Sequence, residues 1–428
     1  MNPENFIEIK PLKQPFDKVF TIPGSKSITN RAMIISALAD GESTLNNVLF
    51  SDDTRYMMDA LRQLGIQIDV DEEGKKVVIT GSNGEFSIPR DKIYVGNSGT
   101  CMRFLTSMLC LGKGEIVMDG NERMRERPIQ DLIDGLKHLG TRIESINNDG
   151  CPPLKIHADG LDGGVVEMPG DKSSQYFSSI LLSAPYARDD IEVKVIGELV
   201  SRPYVEMTTK MMQGFGAKVS YKDKNAIEVK NNPKYKGKNY YIESDFSSAS
   251  YFMAAAALTG SKITLKYLPS NSLQGDSRFI EILRQMGASV KQGEDGIEVE
   301  GSGALNAIDT DMFDCSDLVP TVAVLACFAR GTTNIKNVKN IRYKETDRLS
   351  AISNELKKIG ASVVERDDGL EIRGDGVLKG ALIETYDDHR IAMSFSLAGM
   401  KIDGVRIIDP ACVNKTFPSY FEMLKRLY

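Results

Sequence analysis

The 428-residue sequence predicts an α/β fold made from six copies of one unit, each a helix, a strand, a second helix and two further strands. Three observations predict it. A helix that closes on an apolar residue and Gly, followed by an alternating strand, recurs five times. A polar cluster opens an apolar helix ahead of every copy, and a sixth time near the C-terminus. The sixth unit lacks its last two strands, while two strand-like pieces, Phe6–Lys10 and Lys18–Ile22, stand unassigned at the other end of the chain.

The recurring glycines are Gly65, Gly140, Gly216, Gly287 and Gly360, roughly 71–76 residues apart, too far for an ordinary solenoid. Each stands where a helix ends in a left-handed residue, a conformation that costs Gly little. The strand that follows alternates, as Ile66, Ile68 and Val70 do, so one of its faces is buried. In the first unit the expected pieces are helix 26–39, strand 43–50, helix 52–64 and strands 66–71 and 76–80, with a turn at Glu73-Gly74. The six polar openings are Pro23–Ser27, Gly96–Thr100, Gly170–Gln175, Ser244–Ser248, Asp314–Asp317 and Asp387–Arg390. The apolar helix after Asp317 is expected over Leu318 to Ala329, and a last helix over Phe417–Leu427. The spare N-terminal strands are expected to complete the sixth unit. That divides the chain into a discontinuous domain, residues 1–21 with 244–428, and a continuous one, residues 22–243, with two crossings that form a natural hinge.

Composition narrows the function. A 41% hydrophobic and 26% charged chain is that of a soluble globular protein. The net charge of −6 disfavours nucleic acid as a partner. Six cysteines with no CxxC, and only three histidines, argue for reduced thiols and against a metal centre. No secretory leader is expected, and the longest apolar stretch, Val319 to Ala329, is too short to span a bilayer. The expected location is the cytoplasm.

Function centres on Tyr343-Lys344-Glu345-Thr346-Asp347-Arg348-Leu349. Leu349, Ile352, Leu356 and Ile359 recur at helical spacing, so Thr346 or Asp347 is the expected N-cap. Free N–H groups and a partial positive charge at that end, flanked by Lys344 and Arg348, suit a phosphate or carboxylate. Glu345 would repel such a ligand, which points to proton transfer beside a bound anion. A capped surface helix with a salt-bridged first turn is the plainer reading of this stretch alone. The basic residues placed at or near the six polar openings, Lys26, Arg31, Arg103, Lys344, Arg348 and Arg390, weigh against it. Together, six helix starts would bind a heavily anionic ligand despite the acidic chain, and repulsion among the cations predicts an open form that closes on anions.

Taken together, these residues resemble the 5-enolpyruvylshikimate-3-phosphate synthase (3-phosphoshikimate 1-carboxyvinyltransferase) family of enolpyruvyl transferases. The matching strings are Pro23-Gly-Ser-Lys26-Ser27-Ile-Thr-Asn-Arg31, Gly96-Asn97-Ser-Gly99-Thr100-Cys-Met-Arg103, Arg127-Pro128, Ser173-Ser174-Gln175, Ser201-Arg-Pro-Tyr204, Lys344-Glu345-Thr-Asp-Arg348-Leu, Asp388-His389-Arg390 and Lys415-Thr-Phe-Pro. They run in the family's order over almost the whole chain. The resemblance implies two domains of three βαβαββ units each, an inside-out α/β barrel with both termini in one domain and the active site in the interdomain cleft. It also implies transfer of the enolpyruvyl group of phosphoenolpyruvate to the 5-hydroxyl of shikimate 3-phosphate, in chorismate and aromatic amino acid biosynthesis. The route is addition–elimination through a tetrahedral intermediate, with no cofactor and no metal.

Carried over residue by residue, the resemblance assigns shikimate 3-phosphate to Ser27, Arg31, Ser173, Ser174, Ser201, Tyr204, Asp317, Asn340 and Lys344. Phosphoenolpyruvate falls to Gly99, Arg127, Arg348, Arg390 and Lys415, and both substrates to Lys26 and Gln175. The serine pair supplies short donors at a helix start, and guanidinium forks match carboxylate and phosphate. Gly99 would let backbone approach the ligand. Asp317 is the expected base for the hydroxyl and Glu345 the expected proton donor to the methylene carbon. His389 would assist Glu345 or order the site, and Lys26 would stabilise developing charge. Asp317 also reads as a plain N-cap, His389 as a structural hydrogen-bonder and Lys415 as a solvated cation. Phe104 departs from the family's frequent proline and Arg202 from its frequent lysine. Gly99 implies sensitivity to glyphosate. A monomer is expected. Two other readings are a UDP-N-acetylglucosamine enolpyruvyl transferase and an inactive anion-binding protein of the same fold. The loop Gly120–Pro128 lacks the cysteine usual in the former, and intact acids at 317 and 345 stand against the latter.

Overall fold

The computed structural model describes residues 5–293 and 296–428. The chain divides into two compact units, Gly24–Ile242 and Met1–Pro23 with Glu243–Tyr428.

Gly24–Ile242 contains helices α1 (Lys26–Leu38), α2 (Asp52–Gln63), α3 (Gly99–Cys110), α4 (Gln130–His138), α5 (Ser174–Ser183) and α6 (Pro203–Gly214). Three four-stranded sheets accompany them. Their strand orders are Asn239–Tyr241, Glu42–Asn46, Lys76–Thr80, Gln67–Asp71; then Ile93–Tyr94, Lys113–Asp119, Leu154–Asp159, Arg142–Ser145; then Gly164–Pro169, Ile191–Ile196, Ala226–Val229, Val219–Asp223. In each sheet the first pair is parallel and the other two pairs are antiparallel. A parallel pair needs a crossover, and α3 and α5 are the crossovers of the second and third sheets.

The other unit contains α7 (Phe246–Thr259), α8 (Phe279–Gln285), α9 (Val319–Ala326), α10 (Arg348–Lys358), α11 (His389–Gly399) and α12 (Tyr420–Lys425). Its sheets follow the same plan: Asp17–Thr21, Lys262–Lys266, Gly296–Glu300, Ser289–Gln292; then Asp309–Asp311, Thr332–Lys336, Gly369–Arg373, Ser362–Arg366. The third has three strands, Leu382–Ile383, Val405–Ile408 and Phe6–Ile9.

Two helix types share the work. α3, α9 and α11 are buried along their whole length, and α1, α5 and α7 nearly so. Apolar residues mixed with Ala, Ser and Gly leave these helices no polar face, so burial on all sides is their stable state. α1, α3 and α5 pack on one another in one unit, and α7, α9 and α11 in the other. The helices therefore lie inside and the sheets outside, and the sheets remain open. α2, α4, α6, α8 and α10 keep an exposed side. Each ends in the same way: Gly65, Gly140, Gly216, Gly287 and Gly360 have φ between 82° and 99°. The N–H one residue later bonds five residues back, as Ile66 N does to Leu61 O at 3.1 Å and Ala361 N to Leu356 O at 3.0 Å. This doubly bonded C-terminal turn stops each helix and turns the chain into its strand.

Three expectations change. Phe6–Ile9 does join the sixth unit, antiparallel to Val405–Ile408. Asp17–Thr21 does not: it pairs in parallel with Lys262–Lys266, in the fourth unit's sheet. Asn239–Tyr241, the strand just before α7, pairs instead with Glu42–Asn46 in the first unit's sheet. The strand before α1 thus belongs to the fourth repeat's sheet and the strand before α7 to the first repeat's, each inside its own compact unit. Both are short alternating strands, so either sheet's edge fits their pattern and sequence cannot choose. The last helix is shorter than Phe417–Leu427 because Pro418 lacks an N–H and disfavours a helical Phe417, so α12 begins only after Ser419. The apolar helix after Asp317 is likewise shorter, Val319–Ala326, and a 3₁₀ turn, Ser316–Leu318, leads into it.

No helix among the described residues is long and apolar enough to cross a membrane. None of the six cysteines is in a disulfide.

Candidate active site

In the unit holding both termini, a single guanidinium ties three helix starts together. Asp347 is the N-cap of α10 and accepts from Ser350 N at 3.1 Å. Arg348, the next residue, is 1% exposed and folds back from the helix start. Its Nε donates to Asp388 Oδ2 at 2.7 Å and its Nη2 to Asp388 Oδ1 at 3.2 Å. Nη2 also reaches Glu345 Oε2 at 2.7 Å, and Nη1 reaches Asp317 Oδ1 at 3.0 Å. Burial pulls the guanidinium's pKa down, but the carboxylates of Asp388, Glu345 and Asp317 outweigh it and hold the pKa above its ordinary value. Four of the five N–H groups are thus committed to the protein.

The remaining cations complete the cluster. Arg390 Nη2 donates to Asp317 Oδ2 at 2.8 Å, Lys344 Nζ lies 3.8 Å from Asp317 Oδ1, and Lys415 Nζ lies 3.8 Å from Glu345 Oε1. Each of the two candidate acids therefore stands between cations. Asp317 does not cap α9, so the plain N-cap reading falls away. His389 is buried at the first position of α11, its Nδ1 3.7 Å from Asp388 Oδ1. Asn340 donates through Nδ2 to Ser316 Oγ at 3.1 Å, beside Asp317, and its Oδ1 has no hydrogen-bond partner among the described residues.

The turn carrying Asp388 is strained. Tyr386 and Asp387 both have left-handed backbone, φ 55° and 53°, a conformation costing about 1–3 kcal/mol at a non-glycine residue. Glu355 of α10, wholly buried, holds this turn. Its Oε1 accepts from Tyr386 Oη at 2.7 Å and its Oε2 from Glu384 N at 3.0 Å. α10 thus fixes both ends of the Arg348–Asp388 pair.

The continuous unit is built differently. Lys26 Nζ lies 3.3 Å from Asp53 Oδ2, an acid buried in the first turn of α2. Arg31 is 2% exposed, and its bonds run to neutral acceptors: Thr208 Oγ1 at 2.7 Å, Ser27 O at 3.0 Å, Tyr204 O at 3.2 Å and Ser178 Oγ at 3.3 Å. Burial pushes its pKa down to about 10. Phe104 packs against its face at 5.0 Å and Tyr204 at 5.9 Å. Arg31 therefore joins α1, α5 and α6.

Arg127 Nη1 donates to Asn97 O and Oδ1, both at 3.1 Å. Arg103 is 3% exposed, and its Nε and Nη1 have no hydrogen-bond partner among the described residues. Both guanidiniums crowd the start of α3. A Cβ at Gly99 would overlap Arg103 Nη1 and lie 2.5 Å from Arg127 Nη2. Glycine at this position admits two side-chain cations to the helix start. Gln175 Nε2 donates to Thr100 Oγ1 at 3.3 Å, Ser173 caps α5 through Gln175 N, and Ser174 is the first residue of that helix. Ser201 is buried with a left-handed φ of 52° ahead of α6.

One network thus gathers Asp317, Lys344, Glu345, Arg348, His389, Arg390 and Lys415. Lys26, the Arg31 group with Ser27 and Tyr204, and the Gly99–Arg127 pair form separate clusters. The sequence reading gave no role to Asp388, Asp53, Asn97 or Glu355. Asp388 and Asp53 look like ordinary acids in a helix's first turn, and only contacts distant in sequence distinguish them. Among the described residues no three His, Cys, Asp or Glu side chains group as metal ligands.

Carboxylates held among fixed cations, on helix starts of a repeated α/β framework, suit an enzyme that moves protons beside anionic substrates. The family model for EPSP synthase (3-phosphoshikimate 1-carboxyvinyltransferase) matches residues 12–424, and the chain belongs to that family. A 3-phosphoshikimate 1-carboxyvinyltransferase of Sulfurovum sp. (strain NBC37-1) is 43% identical over 425 residues, covering 99% of both chains. The chloroplastic enzyme of that name from Arabidopsis thaliana is also 43% identical, over 98% of this chain and 84% of its own. The solved EPSP synthase of Acinetobacter baumannii superimposes with a TM-score of 0.82 at 30% identity, covering 99% of this chain and 98% of that one.

Proposed function

We propose that this chain transfers the enolpyruvyl group of phosphoenolpyruvate to the 5-hydroxyl of shikimate 3-phosphate and releases phosphate. Family membership across residues 12–424 supports this reading over a UDP-N-acetylglucosamine enolpyruvyl transferase. The observation that carries the chemistry is the pair of acids, Asp317 and Glu345, on one guanidinium, each within 4 Å of a lysine as well. Proton transfer requires acids, anion binding requires cations, and this cluster holds both within a few ångströms.

In the addition step the 5-hydroxyl oxygen bonds to C2 of phosphoenolpyruvate while C3 gains a proton. Asp317 accepts the hydroxyl proton and Glu345 supplies the proton to C3. In the elimination step Glu345 takes a proton back from C3 of the tetrahedral intermediate, the double bond re-forms, the C2–O bond to phosphate breaks and Asp317 returns its proton to the departing phosphate. Arg348 acts chiefly by fixing the two acids. Arg390, Lys344 and Lys415 meet the substrate anions, as do Lys26, Arg127 and the α3 start at Gly99. Ser173 and Ser174, at the start of α5, bind the shikimate phosphate, with Ser27, Ser201, Tyr204, Asn340 and Gln175 completing its surroundings. Arg31 aligns α1 and α6 for that ligand. His389 orders Asp388. Glyphosate is an expected inhibitor, and a monomer in the cytoplasm the expected form.

The test is phosphate release by wild type, Glu345→Gln and Asp317→Ala, with shikimate 3-phosphate or UDP-N-acetylglucosamine as acceptor. Turnover with the former alone, reduced on the order of 10²–10⁴-fold in each variant, is expected. Turnover with the sugar nucleotide, or variants at wild-type rate, would refute the assignment. Phosphoenolpyruvate turnover undisturbed by glyphosate would remove the inhibitor from it.

A further inference from the structure

Behind Arg390 lies a carboxyl that the chemistry above leaves unused. Asp276 is 1% exposed, in the turn Gly275–Arg278 packed on the first turn of α7. Gln274 pins that turn: its Oε1 accepts from Phe246 N at 3.0 Å and its Nε2 donates to Ser244 O at 2.8 Å. Asp276 Oδ2 is hydrogen-bonded to Ser247 Oγ, and Arg390 Nη2 reaches that same Oγ at 3.4 Å. Since Nη2 also donates to Asp317 Oδ2 at 2.8 Å, a chain of contacts runs from Asp276 through Ser247 and Arg390 to the proposed base.

The other carboxyl oxygen, Oδ1, is buried with no hydrogen-bond partner among the described residues. A carboxylate is badly placed there, whereas a protonated carboxyl needs fewer donors. Burial first, then the facing Asp317, pushes the Asp276 pKa up to about 6; Arg390 and Ser247 oppose this and Asp245 adds to it. Cys315 also faces Asp276, with Arg278 beside it. The Cys315 thiol is pushed up to about 12 by burial and then by Asp276, so it stays neutral.

We propose that Asp276 is a positioning residue for the transfer reaction: in its protonated form, behind Arg390, it leaves that guanidinium's charge to Asp317 and to phosphoenolpyruvate. An ionised Asp276 competes for Arg390 through Ser247 and draws it from both. The inference rests on the function proposed above and concerns binding more than chemistry, so its signature is in KM rather than kcat.

Steady-state kinetics between pH 5.5 and 8, with kcat and KM for phosphoenolpyruvate resolved, test it on wild type and Asp276→Asn. Asparagine keeps the shape and cannot ionise. The wild-type KM is expected to rise with pH through the titration of Asp276, on the order of three- to tenfold beyond the rise in the variant. Superimposable KM profiles overturn the proposal. Should Asp276→Asn fail to fold, Ser247→Ala cuts the relay with the carboxyl in place. A flattened KM profile then supports the proposal and a wild-type profile overturns it. Wild type that turns over neither substrate at any pH removes the functional reading, and this inference with it.

Discussion

Arg31 and Arg348 are buried to the same degree, yet their surroundings are opposite. Arg348 lies among three carboxylates, which hold its pKa up; Arg31 meets hydroxyls, carbonyls and two aromatic rings, and burial holds its pKa down. The difference extends to the units. In one, acids and cations interlock around Asp317 and Glu345. In the other, Lys26 lies beside an acid, Asp53, while the bonds of Arg31 run to hydroxyl and carbonyl oxygens. Interlocked charges hold geometry and move protons; cations with neutral neighbours keep their field for an incoming anion.

Replacing each arginine by methionine tests this contrast most directly. Arg348→Met strands three carboxylates and is expected to lower stability by about 3–5 kcal/mol, with turnover lost. Arg31→Met removes a buried charge along with its neutral bonds, so a loss of only about 1–2 kcal/mol is expected. Urea unfolding decides, and equal losses would dissolve the distinction.

The pH dependence of stability sharpens it next. The folded pKa of Asp276, near 6, lies above its unfolded value of 3.8. Between those values the native state binds the extra proton, so this group makes stability fall as pH rises from about 4 to about 6. The full effect is at most about 3 kcal/mol. Asp276→Asn should remove that slope in unfolding measured at pH 4.5 and 7; an unchanged slope would place the ionisation elsewhere.

Gly99→Ala probes the cationic half. Its methyl must displace Arg103 and Arg127, and a roughly tenfold rise in KM for phosphoenolpyruvate, about 1.4 kcal/mol, is expected with kcat changed less. An unchanged KM would mean that the guanidiniums relax freely. The smallest effect is expected from Glu355→Gln, which keeps one acceptor for the strained turn at Tyr386 and Asp387. A stability loss of about 1 kcal/mol and a severalfold lower kcat are expected, measured by thermal unfolding and phosphate release. A kcat equal to wild type would show that Asp388 is held without it.

Much of this was legible in the chain. The five glycine-closed helices follow from local rules, because a left-handed residue ends a helix whatever surrounds it. A cap at Thr346 or Asp347, of which the structure takes Asp347, and the gathering of Lys344, Glu345 and Arg348 came from the same local reading. The partners of Arg348 did not, since Asp317 and Asp388 lie 31 and 40 residues away in sequence. Nor could sequence distinguish Arg31, expected to face a ligand, from a buried tie between three helices.

The sequence by itself determined the repeated unit, its helix ends and the chemical kinds of residue at each helix start, because those depend on neighbours within a few positions. Only the tertiary structure decided which sheet receives Asp17–Thr21, which carboxylates surround Arg348 and which acid stands behind Arg390. Such choices depend on edges and charges brought together from distant parts of the chain, where many pairings satisfy the local pattern and packing selects one.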